Sequence, residues 1–203
     1  MAAGSTQAAD CDGATFTTSC TMTGTATISG AALGMAAPAT QTWSTTLDGL
    51  DHQLVDVAAA DTSFTVQDFT GSGAGWTVTA TATQFTGTGS SSHTLAATGT
   101  LVFNGSTSSE TAGATPGNRC APSTTCTLPT TTGLTFPVDL TQDGATVYNL
   151  YDASAATGMG TIQIGSVSAG NPAAWWVNVP AGATADGYTS VITLSISSAP
   201  VAS

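Results

Sequence analysis

The chain has 203 residues, of which 41% are hydrophobic and only 6% are charged, so a core can form beneath a surface of neutral polar residues. Twelve acidic residues stand against a single basic one, Arg119, and the formal net charge is −11. Nucleic acid is excluded as a partner, because phosphate binding needs clustered Lys and Arg, and anionic membrane surfaces are disfavoured for the same reason. No apolar run is long enough to predict insertion into a membrane.

The start of the chain predicts a flexible lead-in over residues 1–10, followed by one domain over residues 11–203. Met1 precedes a run of small residues typical of the start of a mature secreted region. A first strand is predicted around Cys20, since five residues of that segment share one parity: Phe16, Cys20, Met22, Ala26 and Ile28. The glycine-rich segment 29–39, which contains Pro38, is predicted to be a loop.

The clearest pattern of the chain lies in residues 64–85. Phe64, Val66 and Asp68 alternate with polar residues, three glycines follow, and a second alternating run begins at Trp76. In that run Val78 and two alanines share the face of Trp76, whereas threonines occupy the other face. Alternation of this kind predicts a hairpin of two half-buried strands, with Trp76 in the core.

Further strands are predicted at 41–47, 51–61, 94–103, 134–140, 145–150, 158–167, 174–179 and 188–196. Gly, Pro and Asp-Gly turns separate them, and the last two are predicted to form a closing hairpin. About ten strands without a convincing helix predict an all-β fold, an antiparallel β-sandwich. Residues 106–133 lack a regular pattern and are predicted to form one long surface excursion.

The four cysteines form two close pairs in the sequence, Cys11 with Cys20 and Cys120 with Cys126. An even number of cysteines at such local spacing predicts two disulfides and an oxidising, extracytoplasmic compartment. The second disulfide would pin the excursion. A zinc site is not predicted, because the sequence contains no CxxC motif.

Two adjacent tryptophans suggest a ligand surface. Residues next to each other in a strand point to opposite faces, so Trp175 is predicted to enter the core and Trp176 to face outward. Asn178 shares the parity of Trp176, and an exposed indole beside an amide could stack on a sugar ring. The alternative is that another loop covers Trp176.

Catalysis is not predicted. Asp51 and Asp56 flank His52, and three serines precede His93, but the sequence has no nucleophile turn such as GxSxG. No cofactor or metal site is predicted. Calcium remains an alternative, because hard oxygen ligands are grouped at Asp10 with Asp12 and at Asp48 with Asp51 and Asp56.

The central stretch resembles the first motif of WxL-domain proteins, which are surface proteins of Gram-positive bacteria. Asp68, the glycines at 71–75 and Trp76 match its acidic strand end, its glycine-rich turn and its Trp, with Val78 in place of Leu. Near the C-terminus, the second motif is matched by Tyr188 and Leu194, with Ile192 in place of a second Trp.

The resemblance spans roughly residues 20–200 and implies a secreted, non-catalytic β domain associated with the cell wall. Its implied partners are a wall polymer, such as peptidoglycan, or other surface proteins. Trp76 and Tyr188 are expected in one core, on strands that lie close together. The alternatives are a structural subunit of a surface layer or fibre that self-associates through sheet edges, and a secreted hydrolase.

Overall fold

A computed structural model describes residues 9–10, 20–21, 25–56, 58, 62–89 and 92–198. These residues form thirteen strands in antiparallel sheets and one short parallel pair, with a single 3-10 turn and no α-helix in the described ranges. The prediction of an all-β antiparallel fold is confirmed.

The strands, in chain order, are β1 (Ala9–Asp10), β2 (Cys20–Thr21), β3 (Leu33–Ala36), β4 (His52–Val55), β5 (Phe64–Asp68), β6 (Trp76–Ala82), β7 (Thr86–Gly87), β8 (Leu101–Asn104), β9 (Asn118–Cys120), β10 (Val138–Leu140), β11 (Tyr148–Ala153), β12 (Gly160–Ile164), β13 (Ala174–Val179), β14 (Tyr188–Thr189) and β15 (Ile192–Ser198). The 3-10 turn spans Val167–Ala169.

Three sheets build the domain. Sheet I has the strand order β3, β5, β12, β9; sheet II has β10, β8, β13, β4; and sheet III has β11, β6, β15. A two-stranded ribbon pairs β14 with β7, and β1 with β2 forms the parallel pair.

One hydrophobic core cluster draws on all three sheets. It contains Phe64 from sheet I, Trp76 and Tyr151 from sheet III, and Phe103 and Trp175 from sheet II. Trp76 is completely buried, as the alternation predicts. A second, small cluster of Val102, Ala174 and Trp176 lies apart from this core, because their side chains leave sheet II on its other face.

The predicted central hairpin is wrong. β5 pairs with β3 and β12 in sheet I, whereas β6 pairs with β11 and β15 in sheet III. The connecting glycines Gly71, Gly73 and Gly75 have φ values of 68°, 63° and 79°, a left-handed conformation that other residues avoid. The glycines therefore carry the chain from one sheet to another instead of closing a tight turn.

The predicted closing hairpin is also wrong. β13 pairs with β4 and β8 in sheet II, and β15 pairs with β6 in sheet III, so the chain between them again changes sheets. Side-chain alternation is the same for a strand whichever neighbour it bonds, and it could not distinguish these pairings.

Several strand boundaries differ from the predictions. The segment 29–39, predicted to be a loop, contains β3, because its backbone completes the edge of sheet I beside β5. Residues 41–47 form no strand, and within the predicted strand 94–103 only the end belongs to β8. Residues 25–30 are not a strand either, and Ile28 is 94% exposed. Phe16 and Met22 lie outside the described residues.

Candidate functional site

The two family-like motifs meet on neighbouring strands of sheet III. In the pairing of β6 with β15, Val78 lies opposite Ile196, Ala80 opposite Leu194, and Ala82 opposite Ile192. Tyr188 packs against the same core, as predicted, but its strand β14 bonds to β7 and not to β6. Of the second motif, therefore, only Ile192 and Leu194 stand on the strand that is paired with β6.

Trp76 anchors this motif inside the core. Its indole Nε1 donates a hydrogen bond of 2.8 Å to the carbonyl oxygen of Gly158, and its ring stacks on Tyr151 with centroids 6.3 Å apart and planes at 25°. A Cβ on Gly158 would lie only 2.6 Å from the Trp76 Nε1, so glycine is required there. The environment of Trp76 is structural and offers no surface to a ligand.

The two adjacent tryptophans point to opposite faces of sheet II, as predicted. Trp175 packs in the main core with its ring centroid 4.8 Å from that of Phe103. Trp176 faces the other way but is only 6% exposed, and its Nε1 donates a 2.8 Å hydrogen bond to the carbonyl oxygen of Ser106. The predicted exposure of Trp176 is wrong, because a loop covers the outer face of the sheet and leaves no indole surface open for a sugar ring.

That covering loop consists of residues 105–114, which we call the cap. Asn104, itself fully buried, organises the cap from the end of β8. Its side-chain oxygen accepts hydrogen bonds from two cap amides, and its nitrogen donates to three cap carbonyls, those of Ser109, Glu110 and Ala112. Buried polar groups satisfied in this way hold a loop in one conformation. The cap is therefore a built part of the domain and not an irregular excursion.

Residues 118–126 of the predicted excursion are tied to sheet I. Residues Asn118–Cys120 form β9, which pairs with β12, and a disulfide joins Cys120 to Cys126 with a Cα–Cα distance of 5.5 Å. The prediction of this disulfide is confirmed. Cys11 lies outside the described residues, so the Cys11–Cys20 disulfide stays a prediction.

Glu110 fastens the cap to sheet II. Its carboxylate is buried and accepts hydrogen bonds from the side-chain amides of Gln53 on β4 and Asn178 on β13. The Asn178 Nδ2 lies 2.6 Å from the Glu110 Oε1 and also donates to the carbonyl oxygen of Gly99 at 2.8 Å. Both amides thus turn their nitrogens towards the carboxylate.

Because the side-chain nitrogens of Gln53 and Asn178 point towards Glu110, their side-chain oxygens point away from it. The Asn178 Oδ1 is buried and has no hydrogen-bond partner among the described residues. Sequence analysis proposed Asn178 but missed Glu110 and Gln53. A signal for Glu110 was present, since it is the only glutamate in the chain and stands within a run of Ser and Thr.

An open cavity of about 300 Å³ lies beside this cluster, where β4 begins and β13 ends. Polar side chains line much of it, and Ala96, Gly99, Val179 and Pro180 complete the wall; the polar residues are Asp51, His52, Gln53, Thr98, Thr100 and Asn178. The Asp51 Oδ1 accepts a 2.7 Å hydrogen bond from the backbone amide of Ala181, which holds the carboxylate at the rim. No lysine or arginine is among the cavity-lining residues.

Two larger cavities, of about 470 and 530 Å³, flank Trp43. Trp43 packs edge-on against Phe85, with ring centroids 6.0 Å apart, and its Nε1 donates a 3.0 Å hydrogen bond to the Trp175 carbonyl oxygen. Their walls contain many core residues, and the segment 37–47, which has no regular secondary structure, borders both. They lack the convergent amide groups of the smaller cavity.

The residues considered for catalysis or for metal binding are not brought together. The His52 Nε2 lies 3.0 Å from the Asp48 Oδ1. The pKa of Asp48 is lowered, mainly by a hydrogen bond from the Leu50 backbone amide and to a smaller extent by His52. Asp56 is buried separately, where it accepts a 2.7 Å hydrogen bond from the Thr42 amide. In the described ranges no three His, Cys, Asp or Glu side chains form a group that could hold a metal.

Some residues of the predicted catalytic and calcium-binding groups lie outside the described part of the chain. Ser90 and Ser91, beside His93, lie outside the described residues, as does Asp12. The calcium alternative at Asp10 and Asp12 therefore stays a prediction. Among the described residues there is no helix with the length and apolar character needed to cross a membrane.

Comparisons with known proteins give one finding. The family model described as "WxL domain surface cell wall-binding" matches residues 17–200. No curated protein and no solved structure matches the chain significantly.

Proposed function

The chain belongs to the WxL family of surface cell wall-binding domains, and on that basis we propose that it is a secreted, non-catalytic module that associates with cell-wall polymer. The match over residues 17–200 carries this proposal, because it covers nearly the whole chain and leaves little room for a second domain within these residues.

The charge distribution supports a neutral region of the wall as the partner. Arg119 is the only Lys or Arg in the chain, and its guanidinium donates to the Gln163 side-chain oxygen at 2.9 and 2.6 Å. With a net charge of −11, the protein is repelled by anionic polymers at low ionic strength. Hydroxyl and amide groups of a glycan remain as the contacts that this surface can satisfy.

A sedimentation assay tests the proposal. Purified protein is mixed with isolated Gram-positive cell walls, either intact or stripped of their anionic polymers, and the bound fraction is measured after centrifugation. We expect the protein to sediment with both preparations, and better with the stripped walls. Failure to sediment with either preparation would contradict the proposed function.

A second candidate, a subunit that assembles through sheet edges, is supported by the outer edge of β15, which bonds to no second strand among the described residues although β3 lies near it. Within sheet III this seven-residue strand bonds only to β6, and it contains neither a charged residue nor a proline. The Thr83 amide donates to the Val191 carbonyl oxygen at 3.0 Å. Since bonded and non-bonded pairs alternate in antiparallel strands, the backbone groups of Ile192, Leu194 and Ile196 face away from β6.

Uncharged edges of this length are places where another strand can add. Sedimentation velocity over a concentration series separates the two candidates. A subunit would form assemblies that disappear in Ser195→Lys, which places a charge on an exposed position of the edge. A concentration-independent monomer would exclude the subunit and leave the wall-binding module.

A further inference from the structure

We propose that the cavity of about 530 Å³ beside Trp43 binds an uncharged amphiphile, a molecule with a hydrocarbon chain and a hydroxyl head. Its volume lies within the range of ligand-binding cavities in proteins. This ligand is additional to the cell-wall polymer, and the inference does not rest on the proposed wall-binding function.

The wall of this cavity changes from apolar to polar between its floor and its rim. The buried lining residues are all apolar, namely Phe85, Leu95 and Val177. The exposed lining residues are small or carry a hydroxyl group; they are Ser44, Thr45, Thr46, Thr184, Ala185 and Gly187. A ligand that fills the cavity from floor to rim must therefore present an apolar part inward and a hydrogen-bonding part outward.

Two half-buried leucines line the cavity outside the packed core. Leu54 on β4 lies opposite Val177 on β13, so both side chains leave sheet II on its core-facing side. Leu47 belongs to the segment 41–47, which forms no strand. Among the described residues, neither leucine belongs to a core cluster or packs against one. A hydrocarbon chain in the cavity would remove this apolar surface from water, which is the favourable term for binding.

The charge around the cavity selects the head group of the ligand. No Lys or Arg lines it, and its one charged lining residue is Asp186. The Asp186 carboxylate accepts hydrogen bonds from the backbone amides of Gly187 at 2.7 Å and Gly89 at 3.3 Å. An anionic head would be repelled by this carboxylate and by the net charge of −11.

Hydroxyl groups supply the remaining polar contacts of the wall. The Tyr188 hydroxyl donates a 2.9 Å hydrogen bond to the carbonyl oxygen of Thr184, so its proton is already used. The threonine and serine hydroxyls at the rim can each donate and accept. A hydroxyl head has the same double capacity, and it carries no charge that must be removed from water.

Trp43 reports whether the cavity is occupied. The other three tryptophans of the chain are at most 6% exposed, whereas Trp43 is half-buried, so acrylamide quenching of tryptophan fluorescence measures chiefly access to Trp43. The full chain is titrated separately with octanol, octanoate, octylamine and glucose. We expect octanol to reduce the quenching, octanoate to bind about tenfold more weakly, and glucose to give no protection.

Two leucine variants locate the binding. Leu47→Gln places a polar group in the cavity wall and should weaken octanol binding about tenfold. Leu50→Gln is the matched control, because Leu50 is 65% exposed and is not part of this wall, and it should bind like the parent. The cavity of about 470 Å³ also borders Trp43 but is not lined by Leu47, so the comparison distinguishes the two cavities. Should urea unfolding show that Leu47→Gln does not fold, Leu54→Gln takes its place.

Each contrary outcome overturns a defined part of the proposal. No protection by octanol, or an equal effect of Leu47→Gln and Leu50→Gln, would overturn the site. Protection by glucose but not by octanol would make the cavity a sugar site instead. Octanoate that binds as well as octanol, or octylamine that binds tenfold more tightly, would overturn the uncharged head. None of these measurements uses cell walls, so this proposal and the wall-binding function can fail separately.

Discussion

The substitution Trp76→Phe tests whether the first family motif is a structural anchor. It removes the 2.8 Å hydrogen bond to the buried Gly158 carbonyl, for which no second backbone donor occurs among the described residues. An orphaned buried carbonyl costs about 1–3 kcal/mol, and the smaller ring leaves a cavity that costs about 1 kcal/mol more. We therefore expect the free energy of unfolding to fall by about 3 kcal/mol, a large part of the stability of an ordinary domain.

The matched control is Trp43→Phe, which also removes an indole hydrogen bond to a backbone carbonyl. There the acceptor, the Trp175 carbonyl oxygen, keeps a second hydrogen bond of 3.2 Å from the Asp56 amide, and Trp43 itself is half-buried. We expect a loss of about 1 kcal/mol. Both variants are unfolded in urea and followed by far-UV circular dichroism, with linear extrapolation to water. An equal loss in the two variants would refute the anchoring role of Trp76.

Four further changes have defined outcomes. Trp176→Ala should lower the free energy of unfolding by about 3 kcal/mol, because its indole is buried beneath the cap; an unchanged melting temperature would contradict that burial. Replacing Cys120 and Cys126 together by serine should cost about 2 kcal/mol, measured by thermal unfolding against the oxidised parent. Burial raises the pKa of Asp152 above its usual 3.8, so its charged form destabilises the fold at neutral pH. Asp152→Asn should melt higher at pH 7, and the gain should shrink as the pH falls through the folded-state pKa and be absent below about 4. Hydrogen bonds from Thr146 lower the pKa of Asp143 to about 2, so Asp143→Asn should melt lower at pH 7, and the difference should disappear as the pH falls from about 4 to 2.

The opposite signs of the last two changes follow from opposite environments. Asp143 is exposed and accepts hydrogen bonds from two backbone amides and a hydroxyl, all of which favour its ionised form. Asp152 is buried, and the contacts from Thr132 at 3.4–3.5 Å are too long to compensate for lost hydration. A pH titration of melting temperature that gave both variants the same sign would contradict this assignment.

The sequence by itself determined the local properties of this protein. Alternation identified β6 and β13 at nearly their observed boundaries and placed Trp76 and Trp175 in the core, because the side-chain period of a strand is a property of a few consecutive residues. The spacing of Cys120 and Cys126 predicted their disulfide, since they stand six positions apart and the closed loop is short. The two motifs, around Trp76 and around Tyr188, also predicted the family that the family model matches.

Only the tertiary structure decided what depends on residues far apart in the chain. Alternation could not show that β5 and β6 belong to different sheets, because a strand has the same pattern whichever neighbour it bonds. The cover over Trp176 comes from Ser106, 70 residues earlier, and the carboxylate that orients Asn178 comes from Glu110, 68 residues earlier. The outward face of a strand can be read from its own sequence, but whether that face meets water depends on where the rest of the chain comes to lie.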